Sequence, residues 1–220
     1  MLLIVYIFGN EVITVDTIRP IDRIRERIQV SGCGSVFVPS DFSDLADYST
    51  VKVVLSRLSE SGMIRRVIRG VYEYPEFSSF LKEMVSPSPH KVAHALARNH
   101  SWAIVPDGDT ALNQLGLSTQ VPAEWTYMSS GPYKEYNFSN TTIRFRRTAN
   151  KDILRLSGKS ALLVQAVKAL GKENIDPTVL KKIASLMTES EKLAILSEGQ
   201  YMTAWVYDLI KKICYGGYPS

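Results

Sequence analysis

The stretch that decides the fold runs from Ser49 to Pro75, STVKVVLSRLSESGMIRRVIRGVYEYP. Val51, Val54, Leu55 and Leu58 recur at i, i+3, i+4 and i+7, the spacing of one apolar stripe on an α-helix. Ser49 reads as the cap of that helix, Thr50–Ser61, and Gly62 as its C-terminal stop. The face opposite the stripe carries Ser49, Thr50, Lys52, Val53, Ser56, Arg57 and Glu60. Two β-prone runs follow, Met63–Ile68 and Val71–Tyr74, joined at Arg69-Gly70, where glycine accepts a positive φ. Pro75 closes the unit.

Upstream, Ile21, Ile24 and Ile28 predict a helix over 19–31 with Pro20 in its first turn, stopped by Gly32 and Gly34. Ser35–Val38 reads as a short extended piece ending at Pro39. Ser40 or Asp41 then caps a brief second helix through Phe42, Leu45 and Ala46. Three short helices followed by a β-hairpin is the order of a winged helix-turn-helix. That motif needs a third helix offering small polar and basic side chains to the major groove, and a hairpin offering cations to phosphate. The DNA contacts expected are Ser49, Thr50, Lys52, Ser56 and Arg57 on the helix, with Arg65, Arg66 and Arg69 on the hairpin. The same element order also serves protein contacts in some winged helices; the basic residues on these two elements favour DNA. Asp41, Asp44 and Asp47 fall on the second helix and argue for a weak grip by this domain alone.

The whole chain has 220 residues, 45% of them apolar and 22% charged, which excludes wholesale disorder and fibrous repeats. Cys33 and Cys214 cannot build a disulfide framework or a zinc site by themselves and read as free thiols in a reducing cytoplasm. The apolar run Leu2–Phe8 is too short for a bilayer, which takes about 20 residues, and it lacks the features of a secretory signal. It reads as a short strand packed on the core or as an extension upstream of the true start. A soluble, cytoplasmic protein without a membrane partner is expected.

The first domain is expected to span 1–78, with 1–18 as an uncertain leader, and the second 79–220. In the second, Glu76–Val85 reads as a polar linker or short helix, and His90–Asn99 as a helix with Val92, Ala93, Leu96 and Ala97 inward. Trp102–Val105 reads as a strand and Asp109 as the cap of a helix over Thr110–Leu115. Trp125–Met128 and Thr142–Phe145 read as two strands around a Gly131-Pro132 turn. Helices are predicted from Ser157 to Leu170, from Asp176-Pro177, from the capping box Thr188-x-x-Glu191, and over Tyr201, Trp205, Leu209 and Ile213. The class is α+β: a winged helix-turn-helix, then a small α/β layer and a C-terminal helical bundle.

Net charge is +4, and all of the excess lies in one place. Residues 140–182 carry ten basic and three acidic side chains, whereas 1–78, 79–139 and 183–220 are each net −1. Within that stretch Arg144, Arg146, Arg147, Lys151, Arg155 and Lys159 are densest. They form a second DNA contact, a docking face for an acidic partner surface, or a solvated face.

Leu55-Ser-Arg-Leu58, Gly62-Met-Ile-Arg-Arg66 and Arg69-Gly-Val-Tyr72, ending at Pro75, resemble the N-terminal winged helix of AbiEi-type antitoxins, from type IV toxin–antitoxin pairs. Asp109-Thr-Ala-Leu-Asn-Gln-Leu-Gly-Leu117, followed by Pro122 and two strands, resembles that family's second domain. The likeness covers about residues 19–187. It implies an operator-binding autorepressor whose second domain opposes a nucleotidyltransferase-type toxin, with Ser49, Thr50, Lys52, Ser56 and Arg57 on the recognition helix and Arg65, Arg66 and Arg69 on the wing. The leader has no counterpart in it. The alternative is a stand-alone regulator whose C-terminal domain senses a ligand or oligomerises.

Enzymatic signals are thin. Gly158-Lys159-Ser160 lacks the upstream glycine of a phosphate-binding loop, because position 153 is isoleucine. Asp107-Gly108-Asp109 lacks the Gly-Ser helix start that precedes a nucleotidyltransferase carboxylate pair and reads as a turn with a helix cap. His90 and His94 lack the glutamate of a zinc protease; position 91 is lysine. No catalytic residue, cofactor or metal is expected.

Overall fold

The structure, a computed structural model, describes residues 19–148 and 155–216, together with the backbone of 3–8 and 11–16. The chain is α+β and divides into two compact units, Met1–Asn99 and His100–Ser220.

The first unit begins with an antiparallel ladder of β1 (Leu3–Phe8) and β2 (Glu11–Asp16), paired from Leu3↔Asp16 to Phe8↔Glu11. The side chains of this leader, and so its packing, lie outside the described residues. Helix α1 spans Pro20–Ser31 and buries Ile24 and Ile28 completely. After β3 (Val36–Phe37) the expected second helix is instead a single 3-10 turn, Pro39–Phe42, with further turns through Leu45. The Asp41 carboxylate folds back to accept the Val38 N–H at 2.9 Å, which favours a tight turn over a continuing α-helix.

Helix α2 spans Tyr48–Glu60, with its cap two residues earlier than expected. Asp47, rather than Ser49, caps it, accepting the backbone N–H groups of Ser49 and Thr50 at 3.0 Å each. Its stripe Val51, Val54, Leu55 and Leu58 is buried against Ile24, Ile28, Phe37, Phe42 and Ile64. The hairpin follows as β4 (Arg65–Ile68) and β5 (Val71–Glu73), turning at Gly70 with φ +79°. The sheet order is β3-β5-β4, antiparallel throughout.

Glu76–Val85 is neither linker nor helix. Phe77–Ser78 (β6) and Glu83–Met84 (β7) pair as a small antiparallel hairpin. Helix α3 (Pro89–Asn99) buries Val92, Ala93, Leu96 and Ala97 and packs on β3, β5 and the 3-10 turn. That packing moves the boundary from 78, where the sequence suggested it, to Asn99. Arg98 holds the join, with Nε and Nη2 both 2.9 Å from the Asp41 carboxylate.

The second unit starts with a four-stranded sheet of order β10-β11-β9-β8, formed by Ile104–Pro106 (β8), Glu124–Ser129 (β9), Lys134–Phe138 (β10) and Thr141–Arg147 (β11). The two strands expected around Gly131-Pro132 are β9 and β11, but they run parallel. The unforeseen strand is β10, a polar edge strand whose hairpin with β11 places β11 between it and β9. Helix α4 (Asp109–Gln114) begins at Asp109 with Gly108 at its cap position, so Asp109 is its first residue and not its cap. Among the described residues four helices follow: α5 (Gly158–Leu170), α6 (Pro177–Ser185), α7 (Glu189–Ser197) and α8 (Ala204–Tyr215). Their core gathers Leu163, Val167, Ile183, Ile195, Val206 and Ile210. The capping box at Thr188 and Glu191 forms as expected. Tyr201 lies in a 3-10 turn before α8, whose fully buried residues are Val206, Ile210 and Ile213.

Candidate nucleic-acid interface

Helix α2 turns its apolar stripe inward, so its other face is fixed by elimination. Ser49, Lys52, Val53, Ser56, Arg57 and Glu60 are exposed there, and Thr50 is half-buried. Lys52, Arg57, Arg66 and Arg69 are exposed with no carboxylate within ion-pair distance among the described residues. Lys52 Nζ lies 5.6 Å from the centre of the Tyr48 ring, a cation–π contact that leaves its ammonium in water.

Several of the expected contact residues are engaged elsewhere. The Ser49 hydroxyl donates to Asp47 Oδ1 at 2.5 Å and the Thr50 hydroxyl to Asp47 Oδ2 at 2.6 Å. Those hydroxyls, before the two backbone amides, hold the Asp47 carboxyl well below the usual carboxylate range. Arg65 serves the fold instead. Its guanidinium grips the carboxylate of Glu73, a residue 1% exposed, and donates from Nη2 to the Val85 carbonyl at 2.7 Å. The Ser56 hydroxyl donates to Glu60 at 3.0 Å.

Half of the second basic group is neutralised within its own unit. Arg144 is clamped by Glu124 and Glu135, Arg146 lies 3.3 Å from Asp107, and Lys159 lies 2.7 Å from Glu191. The Arg155 guanidinium sits 5.5 Å from the Tyr201 ring centre. Arg147 is exposed and outside any ion pair among the described residues, and Lys151 lies outside the described residues. At Gly158-Lys159-Ser160 the start of α5 is already filled, because the Ser157 N–H donates to both Glu198 oxygens at 3.2 Å.

Asp107 and Asp109 border a cleft of about 390 Å³ in the second unit, shared with Glu124, Thr126 and Arg146. Arg146 balances part of this acidic lining. His90 and His94 meet edge to face with ring centres 4.4 Å apart on α3.

A family pattern matches residues 23–195, which takes in most of both units. The chain belongs to DUF6088, a family of unknown function. No curated protein matches the sequence. Among solved structures, the RV2827C protein from Mycobacterium tuberculosis is similar at 14% identity over 89% of this chain and 78% of that one, with a TM-score of 0.41. A likeness of that size carries no argument about function.

Two residues of the DUF6088 chain join the exposed surface of α2 without having been singled out as contacts. Tyr48 opens the helix at 59% exposure and Val53 stands at 50% exposure between Lys52 and Arg57. Val53 was legible as an off-stripe position; Tyr48 was hidden because the cap lay at Asp47 and not at Ser49.

Proposed function

We propose that the protein is a DNA-binding antitoxin and autorepressor of a type IV toxin–antitoxin operon, and that its first unit is a winged helix-turn-helix. The observation that carries the DNA reading is the set Lys52, Arg57, Arg66 and Arg69, cations without ion-pair partners among the described residues, on α2 and the β4–β5 hairpin. It is joined by the element order helix, strand, turn, helix, hairpin and by the sheet order β3-β5-β4.

Unpaired cations on a helix and an adjacent hairpin suit a phosphate backbone, where each neutralised phosphate releases a counterion. Ser56 and Val53 suit base edges: a hydroxyl is donor or acceptor, and a valine methyl packs on the thymine methyl. Asp47 lies at the start of the same helix, and its charge is consumed locally by two hydroxyls and two amides. The antitoxin part rests on the resemblance carried by Leu55–Pro75 and Asp109–Leu117.

The test is a mobility shift on the DNA upstream of its own coding sequence. Binding is expected to weaken with salt at a log–log slope of about −3 to −4 per protomer, as four phosphate contacts require. Unchanged binding by an Arg57→Ala, Arg69→Ala variant would overturn this face. Co-expression with the neighbouring gene tests the antitoxin role: growth is expected to be arrested by that gene alone and restored by this protein.

A further inference from the structure

A cleft of about 500 Å³ opens within the first unit between α1, the edge strand β3 and α3, in the size range of small-molecule sites. None of the α2 or hairpin residues assigned to DNA lines it. Helix α3 supplies His90, Lys91, His94 and Arg98, while α1 supplies Arg27.

The charge of this cleft leans positive. Arg27, Lys91 and Arg98 face a single lining carboxylate, Asp41. Burial lowers both imidazoles, and His94, further opposed by His90 and Arg98, is held at about 4, so the rings are uncharged near neutral pH. With Asp44, which pairs with Arg27 from beside the lining, counted against the three cations, the cleft carries an excess of one positive charge.

Each cation is anchored without being used up. Arg98 spends Nε and Nη2 on Asp41 and Nη2 again on the Val36 carbonyl at 3.1 Å, which leaves Nη1. Lys91 donates one N–H to the Gly34 carbonyl at 2.7 Å and has no carboxylate in ion-pair reach among the described residues. Its ammonium has two further donors. Arg27 is pinned by Asp44 at 2.7 Å and by the Asp41 carbonyl at 3.2 Å, with Nε making neither contact. Capping backbone carbonyls, of Gly34 before β3, Val36 on its edge and Asp41 in the 3-10 turn, accounts for one donor of each cation. It does not account for three cations converging on a cavity.

Anchored cations have already lost their side-chain freedom, so an incoming anion meets preorganised donors. Charged N–H donors favour phosphate oxygens, and a phosphomonoester carries about −1.5 to −2 near neutral pH, which the Lys91 ammonium and the remaining guanidinium N–H groups attract. We propose that the cleft binds the phosphate group of a small phosphorylated metabolite. This does not depend on the DNA reading, since it uses other residues.

Isothermal titration of the full chain with 5′-AMP, 5′-CMP and inorganic phosphate, with adenosine as the uncharged control, tests it. All three phosphates are expected to bind and to compete with one another, and adenosine is expected to give no heat. Tighter binding of the nucleotides assigns the site to a phosphomonoester; equal binding assigns it to free phosphate. Lys91→Gln keeps a donor for Gly34 and removes the charge, so it is expected to weaken binding about tenfold or more with the melting temperature unchanged. The Arg57→Ala, Arg69→Ala variant is expected to bind phosphate as the parent does, which separates failure here from failure of the DNA face. No heat from any phosphate at millimolar concentration, or undiminished binding by Lys91→Gln, overturns the proposal. So does a Lys91→Gln variant that loses duplex DNA instead, because the cleft is then a backbone contact.

Discussion

The two basic regions of the chain exchange their apparent importance once their partners are known. Residues 140–182 hold ten basic side chains and the whole of the net charge, yet Arg144, Arg146 and Lys159 end in ion pairs with Glu124, Glu135, Asp107 and Glu191. The region from Lys52 to Arg69 has only five, and four of these remain without ion-pair partners among the described residues. Charge density along a sequence counts cations; strand register and helix packing decide which of them meet an acid. The register Glu135↔Arg144 is one such decision, invisible from either residue alone.

The strongest way to break that contrast is to remove two cations from each region. Arg57→Ala with Arg69→Ala is expected to lower affinity for the upstream DNA about 100-fold and to flatten its salt dependence. Arg146→Ala with Lys159→Ala is expected to leave affinity within about twofold, since those charges are balanced. Equal losses in quantitative mobility shifts would show that the paired cations still contribute to the DNA surface.

Next in size is a contrast inside the hairpin. Arg65→Ala strands the buried Glu73 carboxylate and is expected to cost about 2–3 kcal/mol in urea unfolding, below the full cost of a buried pair because Arg65 is partly exposed. Arg66, its neighbour, faces water, and Arg66→Ala is expected to stay within about 0.5 kcal/mol while weakening DNA binding. Similar stabilities for the two variants would remove the structural role assigned to Arg65.

How much of this was legible follows from the range of each interaction. The stripe on α2, the stripe on α1, the Arg69-Gly70 turn and the Thr188 capping box are local patterns spanning about two helical turns or less, and the sequence carries them in full. The cap at Asp47 was ambiguous because three residues of capping type, Asp47, Ser49 and Thr50, crowd the same turn. The parallel pairing of β9 with β11, the edge strand β10, and the docking of α3 through Arg98 and Asp41 join positions far apart in sequence. Of the candidate interface, the helix and hairpin cations were legible. The withdrawal of Arg65 to Glu73 was not, because it depends on which strand face buries an acid.

A smaller effect is read in the first unit by pH. In the folded first unit the His94 imidazole is held at about 4 against an ordinary 6.5, mainly by burial. As pH falls the unfolded chain takes up this proton first, so the stability tied to the neutral ring is complete above 6.5 and is lost between 6.5 and about 4. Partial exposure of the ring leaves a loss of about 1 kcal/mol between about pH 7 and 5. Urea unfolding of His94→Gln is expected to show that much less dependence on pH. An unaltered slope would mean that the ring is as free to titrate in the folded unit as in the unfolded chain.

The smallest expected effect tests one of the ion pairs of the second region by itself. Arg144 sits on the central strand β11, opposite Glu135 on β10 and diagonal to Glu124 on β9, so one cation offsets two acids across three strands. All three side chains are partly exposed, and solvent and salt screen their attraction. Arg144→Ala also leaves two glutamates facing each other without the cation between them, which adds repulsion to the lost pairing. The balance is a small cost, that of a solvent-screened cross-strand charge cluster. It is expected to shrink at high salt, to be recovered in part by Glu124→Gln in the Arg144→Ala background, and to leave DNA binding unchanged. A variant with unaltered stability but weakened DNA binding would show that Arg144 is shared between its glutamates and a phosphate, and the line drawn between spent and available cations would then have to include it.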